Sequence, residues 1–215
     1  AHLCAAARAE ARADRQDEAV ETLRAALERS PTHPYAAALL EEVLRARGDA
    51  DELVRLLREA AEKDDAPRAA ETRLLLAGAA AEAADRFEDA AQAYDEAAQR
   101  DPTSLAPVLA KRRLAEGRGD QAMLLTALEA LSEREIAAGE PGRHTLALGE
   151  HYDLFGGQPE RAEAPLRTAL ESETVGLHAA VDLALLPATR GDREARLMGL
   201  SRMLAHARDV ARRGI

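Results

Sequence analysis

Cysteine occurs once, at Cys4, so no internal disulfide and no cysteine-based metal cluster can form. That usage fits a reducing compartment, and a cytoplasmic location is expected. Tryptophan and asparagine are absent, and aromatic residues make up only 2% of the 215 residues. Apolar content still reaches 47%, so alanine and leucine, strong helix formers, carry most of it. No stretch alternates apolar and polar residues with β-branched enrichment, which excludes sheet architectures and points to an all-α chain. No apolar run approaches the roughly 18 residues of a membrane span, and no charged–apolar–small pattern marks an export signal. The residues ahead of Cys4 make a poor lipoprotein cleavage site. The chain begins without Met and directly in helical pattern, which is expected of an excerpt from something longer.

Positive charge is in deficit. Lys and Arg number 29 against 39 Asp and Glu, for a formal net charge of −10. Such a balance argues against a surface that tracks nucleic-acid phosphates. The exception lies at the end, where seven arginines from Arg190 onward face only Asp192, Glu194 and Asp209. A solvated helix face is the plain reading of that segment, and an acidic partner or anionic surface the sharper one.

What the chain does have is a period. Arg47-Gly48-Asp49 returns 71 residues later as Arg118-Gly119-Asp120 and after a further 72 as Arg190-Gly191-Asp192. Ala13-Asp14-Arg15 likewise returns as Ala84-Asp85-Arg86. Ala19, Leu23, Ala26 and Pro31 reappear as Ala90, Tyr94, Ala97 and Pro102, then as Ala162, Leu166, Ala169 and Thr174. Each unit is itself double, giving six repeats at about 1–33, 34–69, 70–104, 105–141, 142–175 and 176–212.

Residues 70–103 show the repeat most clearly. Leu74, Ala77, Gly78 and Ala81 form one helical stripe, and Ala90, Tyr94 and Ala97 form a second after a break near Asp85-Arg86. Small residues let the two helices approach, Leu74 and Tyr94 fill the space between, and Pro102 ends the second helix. This spacing of Leu74, Ala77, Gly78 and Ala81, Phe87, and Ala90, Tyr94, Ala97 and Pro102 resembles a tetratricopeptide repeat. Residues 1–33 fit it well. The repeats containing Arg-Gly-Asp fit less well, with Leu53, Leu124 and Arg196 where small residues are usual. HEAT-like hairpins are the structural competitor. The fold expected from the resemblance is an α-α superhelix, a right-handed solenoid of about six TPR-like hairpins forming one domain over 1–215. Pro165 and Pro187 fall inside expected helices and should kink or shorten them, and Gly156-Gly157 should loosen a turn.

Arg-Gly-Asp itself reads as a helix joint rather than an adhesion signal. Gly takes the left-handed residue past one helix, and Asp caps the next. Arg places positive charge at a helix C-terminus, and Glu52 is spaced from Asp49 as a capping box requires.

Sites for chemistry are wanting. There is no Gly-x-Ser-x-Gly, and no Lys-Ser/Thr follows Gly117-Arg118-Gly119. His144 and His151 share a helix but stand about 10 Å apart along its axis, too far to ligate one metal ion; partly exposed histidines are expected. Carboxylates run beside basic residues, as in Glu59 and Lys63, which suit a solvated i,i+4 pair. No catalytic, cofactor or metal residue is therefore assigned.

The resemblance implies a non-catalytic scaffold that binds protein or peptide along the first helices, lining a concave face. It places there Arg8 and Arg12; Tyr35, Glu42 and Arg45; Thr72, Leu75 and Glu82; Leu109, Arg113 and Glu116. His144, His151, Leu154 and Phe155, then His178, Val181 and Leu185, complete the face. Arrays of this family that clamp chaperone tails use paired Lys and Asn, which a chain without Asn does not supply. Recruitment for an enzyme or signalling domain elsewhere in a longer chain, and self-assembly through apolar terminal repeats, are the alternatives. Ala-, Arg- and Glu-rich usage suggests a GC-rich bacterial source.

Overall fold

The computed structural model describes residues 2–30, 33–155, 158–190, 197–205 and 208. Among them every regular element is a helix: α1 (His2–Arg12), α2 (Gln16–Arg29), α3 (Pro34–Arg47), α4 (Ala50–Glu62), α5 (Pro67–Ala83), α6 (Phe87–Arg100), α7 (Ala106–Arg118), α8 (Gln121–Ala137), α9 (Arg143–Leu154), α10 (Pro159–Ala169) and α11 (Gly176–Arg190). Residues 197–205 are also helical. The chain divides into two compact units, Ala1–Pro107 and Val108–Ile215.

In the first unit α1 packs on α2, α3 on α4 and α5 on α6, with α2–α3 and α4–α5 contacts joining the hairpins. The α5–α6 hairpin follows the sequence stripes. Leu74, Ala77, Gly78 and Ala81 are buried against Ala90, Ala93, Tyr94 and Ala97. Leu53, standing where the repeat prefers a small residue, is buried in α4 as well. In the second unit Val108 of α7 clusters with Ala127 and Leu131 of α8. A larger core gathers Leu128, Leu146, Tyr152, Leu166 and Leu183 from α8 to α11. Leu124, the other large residue at a small position, packs on that core's edge. The helix at 197–205 crowds α11, because a Cβ on Gly199 would lie 2.7 Å from the Ala184 nitrogen.

The joints explain the period. Gly48 has φ +75° and Gly119 φ +68°, both left-handed. At the first, Asp49 N–H donates to the Leu44 carbonyl and Gly48 N–H to that of Arg45. At the second, Asp120 and Gly119 repeat the pattern with Ala115 and Glu116. These paired bonds close the helix end as a Schellman motif. Each aspartate then caps the following helix, Asp49 accepting from Glu52 N–H at 3.2 Å and Asp120 from Met123 N–H at 3.0 Å. Gly191 and Asp192 of the third copy lie outside the described residues, as do Gly156, Gly157 and Arg196.

The Ala-Asp-Arg copies use the same joint with a costlier residue. Asp14 and Asp85 both take φ +58°, and Arg15 and Arg86 close back onto Glu10 and Ala81.

Two local expectations are corrected. Glu52 does not complete a capping box, because its carboxylate pairs with Arg24 and Arg55 while the Asp49 amide is already taken by Leu44. Glu59 bonds Arg55, one turn before it, at 2.5 Å rather than Lys63, which lies just past the end of α4. Pro165 lies inside α10, which runs on to Ala169 but at 11 residues is shorter than α2, α4, α6 or α8. Position 187 likewise falls within α11, which continues to Arg190.

Candidate functional site

The exposed side chains of the first helices are the natural place to look, because several second-helix charges are paired among themselves while three first-helix arginines are not. In the first unit Arg24 pairs with Glu52, Arg55 with Glu52 and Glu59, and Arg58 with Glu96. Arg86, capping α6, reaches Asp89 and Asp51. Arg8, Arg12 and Arg45 are exposed on α1 and α3. Among the described residues none of these three forms an ion pair.

Arg8 and Arg12 stand one turn apart on α1 and line an open cavity of about 780 Å³ with Cys4, His33 and Tyr35. Arg8 Nη1 donates to the Tyr35 hydroxyl at 3.5 Å, a long and weak contact. His33 is tied down, its Nδ1 accepting the Ala36 amide hydrogen at the start of α3. Glu42 is exposed and lines a second hollow of about 270 Å³ beside the same two arginines. Arg45 borders a third hollow of about 360 Å³, floored by Leu76, Ala79 and Ala83 of α5. Leu75 and Glu82 turn inward instead. Leu75 packs on the Leu74 cluster, and Glu82 accepts the Tyr94 hydroxyl at 2.5 Å.

In the second unit Leu109, Arg113 and Glu116 are exposed on α7, with Glu116 held by Arg112 at 2.7 Å. Phe155 is 66% exposed and His178 also faces solvent. His151 departs from the expected exposed position, being only 4% exposed. Gly149 lets α9 sit so close to Leu166 of α10 that the adjoining turn, His151 included, is drawn inside. Burial pushes the His151 imidazole below the ordinary histidine range. His144 is half-buried, its Nδ1 2.7 Å from Glu135 Oε1.

Glu135 is the group that sequence spacing did not find. It projects from the end of α8 and accepts the amide hydrogens of Gly142, His144 and Thr145 together with the Thr145 hydroxyl. It thereby caps α9, whose own N-cap residue, Gly142, has no side chain. Burial opposes its ionisation, but the Thr145 and then the His144 and Gly142 hydrogen bonds outweigh burial and hold the carboxyl below the usual range. Glu150 of α9 and Asp182 of α11 form a carboxyl pair sharing a hydrogen bond. Burial first, then the Asp182 charge and hydrogen bond, raise the Glu150 pKa. Burial likewise raises that of Asp182, against the Glu150 hydrogen bond and the His178 charge. Among the described residues no cluster of three His, Cys, Asp or Glu is placed to hold a metal ion. No described helix is long and apolar enough to cross a membrane.

No protein-family model matches the sequence, and no curated protein matches it. Solved structures do. The Naa15/Naa10 complex bound to HypK-THB contains a chain 19% identical to this one, covering 98% of this chain and 34% of that chain at a TM-score of 0.56. The C-terminal part of a TPR repeat-containing protein from Cytophaga hutchinsonii is 14% identical, covering 93% and 77% at a TM-score of 0.49. YrrB, described as a TPR protein with an unusual peptide-binding site, is 14% identical, covering 86% and 92% at 0.46. At such identities the likeness is one of fold. It is carried by the first of these, at a TM-score above 0.5, and agrees with the TPR-like hairpin pattern of Leu74–Pro102.

Proposed function

We propose that this chain is a non-catalytic scaffold that holds a protein or peptide segment against the first-helix face of its hairpins. The observation that carries the reading is the sorting of charge. Arg24 of α2 and Arg55 and Arg58 of α4 are spent on neighbouring carboxylates, whereas Arg8, Arg12 and Arg45 border open hollows with no ion pair among the described residues. An unpaired guanidinium offers a planar fork of donors to a partner's carboxylate or backbone carbonyl at little reorganisation. Alanines along the same hollows let a partner's backbone come close. Binding on that face is also what the family resemblance implies.

A photo-reactive amino acid introduced singly at Arg12, Glu42 or Thr72 should yield partner adducts in cells of the source organism. The same group at Arg24 or Glu59 on the second helices should not. Adducts confined to the second-helix positions would overturn the assignment.

A further inference from the structure

A smaller cavity, of about 220 Å³, opens among α7, α8 and α9. Leu124, Leu128 and Ala147 make its apolar floor, and Phe155 and His151 form its wall. The Arg112–Glu116 ion pair closes one rim and Glu150 another. His151 is the unusual member. It is buried, yet among the described residues no hydrogen bond or ion pair reaches its imidazole. Its ring meets only that of Phe155, with centroids 5.9 Å apart at 38°. Its ring nitrogens are not among the fully enclosed polar atoms, so without a protein partner they open onto the cavity, where an incoming hydroxyl would take the place of water.

We propose that this cavity receives one tyrosine side chain of a protein partner, its ring between Phe155 and the leucine floor and its hydroxyl donating to His151. The inference rests on the protein-binding reading above and names the anchor it would use. Size supports a single side chain, because whole small-molecule sites usually run to roughly 300–1,000 Å³. Charge narrows the choice further. A carboxylate would face Glu116 and Glu150, and a cationic side chain would have to shed its water onto the leucine floor with Glu116 already paired to Arg112. A phenylalanine would fill the floor but leave the imidazole unpaired. Burial keeps His151 neutral at pH 7, with a lone pair to offer. Tyrosine also ranks among the residues that most often dominate protein interfaces.

The test uses the full chain with p-cresol, the tyrosine side chain alone, and toluene, the phenylalanine side chain. Proton–carbon NMR of the His151 and Phe155 rings should show saturable shifts with p-cresol, at an affinity about fivefold above that for toluene, as one net hydrogen bond supplies. His151→Leu should erase the difference while leaving toluene binding in place. Absence of saturable p-cresol binding, equal affinity for the two probes, or a preference that survives in His151→Leu would each overturn the proposal. The comparison of probes on the unaltered chain decides the matter even where the variant does not fold. Because the probes report on the cavity alone, first-helix adducts without p-cresol binding would sink this inference and spare the scaffold, whereas p-cresol binding without adducts would leave a phenol-binding cavity and overturn both the scaffold and the protein origin of the tyrosine.

Discussion

The Tyr94 ring occupies the space that a side chain on Gly78 would need; a methyl group there would overlap three ring carbons. One period later the relationship recurs with different chemistry, a Cβ on Gly149 falling 2.6 Å from Leu166 Cγ. The repeat therefore conserves a steric fit, one helix lacking a side chain where its partner presents a large one.

That fit predicts a non-additive pair. Gly78→Ala should destabilise the first unit by about 1–3 kcal/mol through overpacking. Tyr94→Ala should cost about 3–5 kcal/mol through the cavity it leaves. Combining them should cost less than the sum, because the new methyl has room once the ring is gone. Urea unfolding followed by circular dichroism gives the three values, and strict additivity would contradict the described contact.

The joints predict opposite signs for similar exchanges. Gly48→Ala and Gly119→Ala put a Cβ on a left-handed residue and should each cost about 1 kcal/mol. Asp85→Gly relieves the same penalty, at φ +58°, and should gain about 0.5–1 kcal/mol after the added freedom of the unfolded chain is counted. Thermal melts of the three variants suffice to compare them; a loss of stability in Asp85→Gly would contradict the reading.

Asp120 caps α8 as Asp49 caps α4. Asp120→Ala should lose about 1 kcal/mol and Asp120→Ser much less, since serine also supplies a capping oxygen. Equal losses would place the effect elsewhere than in the cap.

Two carboxyl systems of the second unit should respond to pH in opposite directions. The Glu135 pKa is depressed in the folded chain, so its contribution is full above the unfolded value near 4.5 and is lost as pH falls through the lower folded one. Glu135→Gln should therefore be destabilising at pH 7, by about 1.5–3 kcal/mol, and nearly neutral at the acid end. The Glu150 pKa is raised, so its stabilising contribution is present below the unfolded value and is lost as pH rises through the folded one. Glu150→Gln should accordingly raise stability at pH 7 and leave it little changed in acid. Denaturant midpoints at pH 3.5 and pH 7 distinguish the two, and matching pH responses would refute the assignment.

The hairpins were legible in the sequence because they rest on local rules. Gly48 and Gly119 follow from chirality, Asp49 and Asp120 from capping, and the Leu74 to Pro102 stripes from helical periodicity. What escaped depends on distances between elements. Glu135 caps a helix that begins across a turn, and no local spacing distinguishes it from a solvated acid. His151 carries a groove position by count, but the close approach allowed by Gly149 turns it inward. Glu82 and Leu75 were placed on the right helix, yet Tyr94 and the Leu74 cluster draw them toward the interior. Asp14 and Asp85 were seen as repeated letters, while their left-handed backbone becomes visible only in the joint that closes around them.

The cap supplied by Glu135 ties the opening of one helix to the departure of another. Amide hydrogens of Gly142, His144 and Thr145 are shielded by a side chain anchored in α8. They should exchange with solvent deuterium only when the end of α8 lets go, and at its rate. Two helices that belong to successive repeats by sequence would then open as one cooperative segment, so that the boundaries of unfolding need not coincide with the boundaries of the repeat.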